Sequence, residues 1–249
     1  MTRQAESVVP ADRAFSYSGT ELHGLAEARN YYKWILSYFL PYLGGSVIEV
    51  GAGIGTVARF LLGSTSLRKI TLIEPADNLF PLLDREFKGE PRVETKKGYL
   101  GDFASSLRAE SVVSVNVLEH AENDSEMLRL IHEVLLPGGR VLLFTPALPV
   151  LYGTVDREVE HYRRHTKREL QSKMEQAGFR VQQIRYLNLP GVALWFLLGR
   201  VLRRRTIGPF GVKLYDRLVI PWLSRLERRW EPPFGQNLMA IGQKESPPV

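Results

Sequence analysis

Between residues 46 and about 145 the chain alternates short β-branched runs with stretches whose apolar residues recur at helical spacing, and nothing else in it restricts the fold as strongly. SVIEVG (46–51), KITLIEP (69–75), RVETKK (92–97), SVVSVNV (111–117) and RVLLFTP (140–146) read as strands. Strands separated by helical segments are joined by crossovers rather than hairpins, so they pair in parallel. Between the fourth and fifth, Met127, Leu130, Ile131, Val134 and Leu135 fall at i, i+3, i+4, i+7 and i+8, which gives that helix one apolar stripe to lay on the sheet. Pro137-Gly138-Gly139 ends it. The expectation is an α/β fold with an open, doubly wound, mostly parallel sheet and helices on both faces.

The flanks extend this unit. In NYYKWILSYFLPYL (30–43), Tyr31, Ile35, Tyr38 or Phe39, and Tyr42 recur at helical spacing, so a lead-in helix packs before the sheet. Thr166 and Glu169 match a capping box, each side chain answering the other's free backbone donor, and set a helix start. FRVQQIRYL (179–187) and QNLMAIGQK (236–244) read as two more strands, the last of them antiparallel, around helical stretches at about 191–204 and 212–230. At 249 residues and 44% hydrophobic the chain can bury one substantial core. We expect one domain over 19–244, with 1–18 a flexible N-terminus, 191–230 a helical insertion and 245–249 a tail. The chain has no cysteine, which excludes disulfides and thiolate metal sites and favours an intracellular, cytoplasmic location. Its polar start lacks a signal peptide's apolar core, and no apolar run approaches the ~20 residues of a membrane span.

Chemistry is concentrated first at VIEVGAGIGT (47–56). A strand that runs into glycines and opens a helix lets backbone approach a nucleotide and offers unpaired N–H groups. The spacing Gly51, Gly53, Gly55 is G-x-G-x-G, with Thr56 at the position of the last dinucleotide glycine, so a nicotinamide-dependent reductase becomes the weaker alternative. No G-K-[ST] phosphate loop is present. Glu49, just before the turn, disfavours a polyanion and favours a ligand bearing cationic groups, such as the ammonium and sulfonium of S-adenosylmethionine. Glu74 ends the second strand, where a carboxylate can accept both ribose hydroxyls or serve as a helix N-terminal acid. Asp102, after the third strand, could accept from an adenine amino group or cap a helix.

These residues resemble a class I S-adenosylmethionine-dependent methyltransferase over roughly 28–187. EVGAGIG is similar to that family's first motif, Glu74 to its ribose acid, Asp102 to its adenine contact, NVLEH (116–120) to its fourth motif, and LLPGGRVLLFTP to the strand entry that follows. The resemblance implies a Rossmann-like fold and S-adenosyl-L-methionine as cofactor, with S-adenosyl-L-homocysteine as product. It also implies cofactor contacts at Glu49, Gly51, Ala52, Gly53, Gly55, Glu74, Pro75, Asp102, Asn116 and Val117. LYGTVDREVEHYRRHTKREL (151–170) resembles a bacterial subgroup with L-Y-G-x-x-D, H-Y-R-R and T-x-x-E-L, although Glu160 and His165 stand where that subgroup commonly has glycine and tyrosine. A non-catalytic domain that keeps the cofactor fold for partner binding is the third alternative.

Methyl transfer mainly requires alignment of acceptor and methyl group. A hydroxyl or protonated amine acceptor also needs a base, and histidine suits neutral pH. His120, at the end of the fourth strand, and His161, in the loop over the same face, are the candidates; His132 reads as structural, His165 as flanking a helix cap, and His23 is uninformative. Tyr152 and Tyr162 could close an aromatic lid, and Arg163 and Arg164 could grip an anionic acceptor or pair with Asp156, Glu158 and Glu160. Tyr31 and Trp34 could cover the sulfonium or pack in the core.

The formal charge of +6 has a local source, since residues 200–230 hold nine Lys and Arg against Asp216 and Glu227. Interleaved with leucines and aromatics, this segment reads either as a lid burying Trp195, Phe196, Trp222 and Leu223 or as a face resting on a bilayer, the inner face of the membrane, which would suit a lipid-linked rather than a soluble small-molecule acceptor. Pro221 should kink its second helix. Nucleic acid is disfavoured as a partner, because the basic residues alternate with bulky aliphatics.

Overall fold

The computed structural model describes residues 15–17, 27–64, 66–204 and 208–246. Seven strands form one sheet: β1 (Ser46–Val50), β2 (Lys69–Glu74), β3 (Val93–Lys97), β4 (Ala109–Val115), β5 (Leu135–Pro146), β6 (Phe179–Leu187) and β7 (Asn237–Lys244). Their order is β3-β2-β1-β4-β5-β7-β6. β1 to β5 are parallel, and β7 runs antiparallel to both β5 and β6. All seven expected strands are present. The antiparallel strand lies inside the sheet rather than at its edge, which is why it is apolar along both faces (burial is continuous from Asn237 to Gly242).

Side chains alternate across each strand, so each face of the sheet has its own core. Val47, Leu72, Val113, Leu142 and Met239 pack with Trp34, Ile35 and Phe39 of α1 (Arg29–Phe39), and with Ala58 and Leu61 of α2 (Thr56–Leu61). Ile48, Val112, Val141, Leu143 and Ala240 pack instead with Leu128, Ile131 and Val134 of the helix after β4, and with Leu170 and Met174. Each fully buried Leu or Ile contributes ~1.5–3 kcal/mol. The remaining crossovers are α3 (Phe80–Phe87), the single turn α4 (Leu100–Phe103) and α5 (Asp124–Val134), followed by α6 (Thr154–Glu158) and α7 (Lys167–Gln176). The cap of α7 forms only in part: Thr166 accepts from the Glu169 amide, but the Glu169 carboxylate turns to Lys173 at 2.8 Å.

The basic segment is three helices: α8 (Leu189–Trp195), which continues as a π-helix over Phe196–Val201, α9 (Pro209–Leu218) and α10 (Ile220–Arg229). Pro221 lies in the first turn of α10, where its missing N–H costs nothing, so it starts a helix rather than kinking one. The segment's only two acids anchor it. Asp216 accepts from the amides of Asn30 and Tyr31 at the free end of α1, and Glu227 from those of Asn188 and Leu189 at the start of α8. Both are buried. Of the presumed lid residues, Leu223 is buried, whereas Trp222 is 74% exposed and Phe196 47%.

Phe15–Tyr17 is also packed, against the expectation of a flexible terminus: Asp77 donates its amide to Phe15, and Tyr17 exchanges two hydrogen bonds with Asn78 just beyond β2. The rest of 1–18, His23, and 247–249 of the expected tail lie outside the described residues.

Candidate active site

Strand order reverses between β1 and β4, because the chain runs outward from β1 to β3 and then returns to the other side of β1. The carboxyl ends of these strands therefore open a crevice, the ordinary ligand position in such sheets. The glycine turn lines it. Gly51, Gly53 and Gly55 have φ of 69°, 56° and 80°, a region that side chains other than glycine rarely enter. At two of them the neighbour is protein: a Cβ on Gly51 would lie 2.5 Å from Val117 Cγ2, and one on Gly55 2.3 Å from Phe87 Cε2. Those glycines let the turn seat on the tip of β4 and on α3, a different reason from the close ligand approach expected from sequence. The amides of Gly51 and Ala52 both donate to Ile73 O, and Gly55 N to Ala52 O.

Glu74 clasps this turn. Its Oε2 accepts from Gly53 N at 2.7 Å and its Oε1 from Ala76 N at 2.9 Å, with Pro75 half-buried between. Each carboxylate oxygen has a second lone pair left for a sugar hydroxyl. Burial raises the Glu74 carboxyl, an effect that the two amides oppose. Asp102 is exposed and caps α4, accepting the Tyr99 amide at 2.7 Å.

Two buried acceptor atoms at the strand tips have no donor among the described residues: Glu49 Oε2 on β1 and Asn116 Oδ1 just past β4. Burial, and after it the charge of Glu74, raises the Glu49 carboxyl well above its usual range. Asn116 is held at φ 53°, its amide bonded to Phe144 O. Buried acceptors without a donor call for one, so these two residues fit a hydrogen-bonding cation such as an amino-acid ammonium.

Past Asn116 and Val117, a 3-10 turn (Leu118–His120) leads to the second half of the crevice. The His120 and His161 rings meet edge to face with centroids 4.7 Å apart, and the Tyr17 ring also meets His120 edge-on at 6.1 Å. The N-terminal segment thus spans from the end of β2 to His120. Burial, helped by the neighbouring His161, lowers His120 to about 3, so it is neutral at physiological pH and a poor proton acceptor.

The loop after β5 is held by Asp156, which is fully buried. Its carboxylate accepts from Arg164 Nε (2.7 Å), Gly153 N (2.9 Å) and Trp195 Nε1 (3.2 Å), and bonds His161 Nδ1 (3.1 Å). Arg164 also stacks on Trp195 and donates to Ala147 O, so its guanidinium is committed to the loop instead of an acceptor. Arg163 pairs with Asp124 at 3.3 Å and with the Glu122 carbonyl, not with the acids anticipated. Tyr152 donates to His161 O, orienting that residue, while Tyr162 is exposed and Tyr31 and Trp34 are packed around α1. His165 is buried against Asp124 at 2.9 Å.

Sequence reading did not single out Glu119 or Asp156 as site residues. An acid directly before a histidine in the otherwise apolar exit of a strand was the available signal for Glu119.

Residues 25–184 match the family model for the methyltransferase domain. The chain belongs to that family. Solved structures share its fold: a Haloferax volcanii chain described as a methyltransferase, in complex with the Trm112 methyltransferase activator, has 16% identity and a TM-score of 0.61, covering 90% of this chain and 95% of its own. A SAM-dependent methyltransferase from Archaeoglobus fulgidus has 16% identity and a TM-score of 0.57 (88% and 93% covered), and one from Mesorhizobium loti 13% and 0.55 (84% and 95%). No curated protein matches the chain. With the glycine turn and its acids, the family makes this an S-adenosylmethionine-dependent methyltransferase that releases S-adenosylhomocysteine.

Proposed function

We propose that the enzyme methylates a lipid-linked acceptor while resting on a membrane surface. One observation carries this reading. Phe210, Leu214 and Leu218 of α9, Trp222 and Leu226 of α10 and Trp230 directly after it recur every four residues, and all six are exposed, Phe210 by 79%. So many large exposed apolar side chains in one short segment mark an interaction surface. Arginines flank it: Arg200, Arg203, Arg204, Arg217, Arg225, Arg228 and Arg229 are exposed, while the segment's two acids are spent inward. An apolar face rimmed by guanidinium groups suits an anionic headgroup layer. No helix among the described residues is long and apolar enough to cross a membrane.

An open apolar pocket of about 660 Å³ is lined by Val150 and Leu151 of the loop after β5, by Leu189, Ala193 and Phe196 of α8 and its continuation, and by Phe234. It would take an acyl or prenyl chain of the acceptor. The cofactor supplies an electrophilic methyl group on a sulfonium. The protein's part is to seat its ammonium at Glu49 and Asn116 and its ribose at Glu74, and to align the acceptor along the His120 and His161 side with water excluded by Tyr17 and the Asp156-braced loop.

The test uses vesicles and label together. The chain should co-sediment with anionic phospholipid vesicles and lose this on Phe210→Ser with Trp222→Ser at unchanged S-adenosylhomocysteine affinity. Methyl label should enter the lipid fraction of a cell extract. Label confined to soluble metabolites, without vesicle binding, overturns the reading and leaves a soluble small molecule as acceptor.

A further inference from the structure

Beyond the cofactor crevice, one cluster is built like a ligand set with its central position unbridged. Glu119 is fully buried, with Oε2 bonded by the Thr145 hydroxyl at 3.1 Å and Oε1 without a hydrogen-bond partner among the described residues. Facing Oε1 at 3.8 Å is His161 Nε2, too far for a hydrogen bond. His161 Nδ1 is taken by Asp156, so Nε2 is the atom left over. The His120 ring, hydrogen-bonded to the backbone of Glu160, brings a ring nitrogen to within 4.8 Å of ligand atoms of Glu119 and His161.

We propose that Glu119, His120 and His161 bind one divalent transition metal ion of the zinc class. One ligand atom from each lies within 4.8 Å of the others. Some point then lies within roughly 2.8 Å of all three, and a contraction of about 0.6–0.8 Å reaches the ~2.0–2.2 Å of zinc bonds to imidazole and carboxylate. Two histidines and a glutamate with an open fourth position are the donor set of a catalytic rather than a structural site. Each ligand has the supporting partner that fixes its orientation: Thr145 for Glu119, Asp156 for His161, the Glu160 backbone for His120.

The other acid and histidine group, Asp124, His165 and Glu169, makes a useful contrast. There Lys173 reaches Asp124 at 2.7 Å and Glu169 at 2.8 Å, and Arg163 adds a second cation, so protein charges already fill it. In the Glu119 cluster no lysine or arginine among the described residues forms an ion pair with the carboxylate. The side chain of His161 is 10% exposed, which leaves an approach from the crevice. A cation there would polarise an acceptor hydroxyl directly, so deprotonation need not fall on a histidine.

The full chain, stripped with a chelator and dialysed, would be titrated with Co²⁺ and followed by visible absorption, with Zn²⁺ as competitor. One equivalent should bind and be displaced by Zn²⁺, with affinity at least tenfold lower in Glu119→Gln and His161→Ala. Glu119→Gln keeps side-chain volume, so it decides the matter if the histidine variant unfolds. Absence of a one-equivalent band, or undiminished binding in the folded variants, overturns the proposal. Metal binding requires neither acceptor nor vesicle, and S-adenosylhomocysteine titrations run alongside report the cofactor site separately, so failure here is distinguishable from failure of the lipid reading.

Discussion

Asp156→Ala should be among the most damaging single changes in the molecule, although it leaves the hydrophobic core untouched. The carboxylate and its partner Arg164 have side chains 0% and 1% exposed, and the Nε to Oδ1 distance is 2.7 Å. Removing the acid leaves a buried guanidinium unpaired, which costs about 3–5 kcal/mol. The amide of Gly153, the indole of Trp195 and the ring of His161 lose an acceptor as well. For a chain of this length ~1 kcal/mol moves Tm by ~2 °C, so a fall of roughly 6–10 °C is expected by calorimetry. Replacing both partners with apolar groups is far milder than stranding one. Asp156→Ala with Arg164→Met should therefore recover more than half of the loss. A fall under about 2 °C, or a double variant no more stable than Asp156→Ala alone, would refute the view that this pair braces the loop.

Glu49→Gln should stabilise the ligand-free enzyme in a pH-dependent way. Because burial raises this carboxyl above its ordinary 4.5, the proton's contribution to stability is present below that value and is lost as pH climbs through the raised one. The variant's Tm should exceed the parent's at pH 8, and the gap should close toward pH 4.5; a gap constant with pH would show that Glu49 does not titrate as described. Gly51→Ala should destabilise by ~1–2 kcal/mol for the left-handed backbone and a further ~1–3 kcal/mol for the contact with Val117. Adding Val117→Ala should recover only the second share in denaturant melts, and full recovery would mean that backbone strain plays no part.

How much of this could be read from the sequence follows from which signals are local. The seven strands were legible from short apolar, mostly β-branched runs, and the helix over the sheet because Ile131 and Val134 keep a helical period; the start of β5 was not, since Leu135 and Pro137-Gly138-Gly139, read as the last stripe residue and the stop of the helix, already belong to the strand. The turn and its acids were legible from spacing. Why Gly51 and Gly55 must be glycine was not, because Val117 and Phe87 are 66 and 32 residues away. Pairing of Arg164 with Asp156 was one of the two readings that the sequence offered for the arginines, and the folded path selects it and buries the pair. Glu119 looked like part of a motif, and its unpaired oxygen appears only when Thr145 and His161 are brought beside it. Asp216 and Glu227 looked like partial compensation for nine cations. Buried at Asn30 and Asn188, they are turned away from the arginines that the same segment exposes.

Isothermal titration of S-adenosylhomocysteine into the parent chain and into Glu74→Ala tests the central claim most directly, since Glu74 clasps Gly53 and is the carboxylate proposed to hold the ribose. One equivalent should bind the parent, and the variant, folded by circular dichroism, should bind at least tenfold more weakly, a loss of about 1.4 kcal/mol or more. Equal affinity in the two proteins, or binding of NADH in place of S-adenosylhomocysteine, would contradict it.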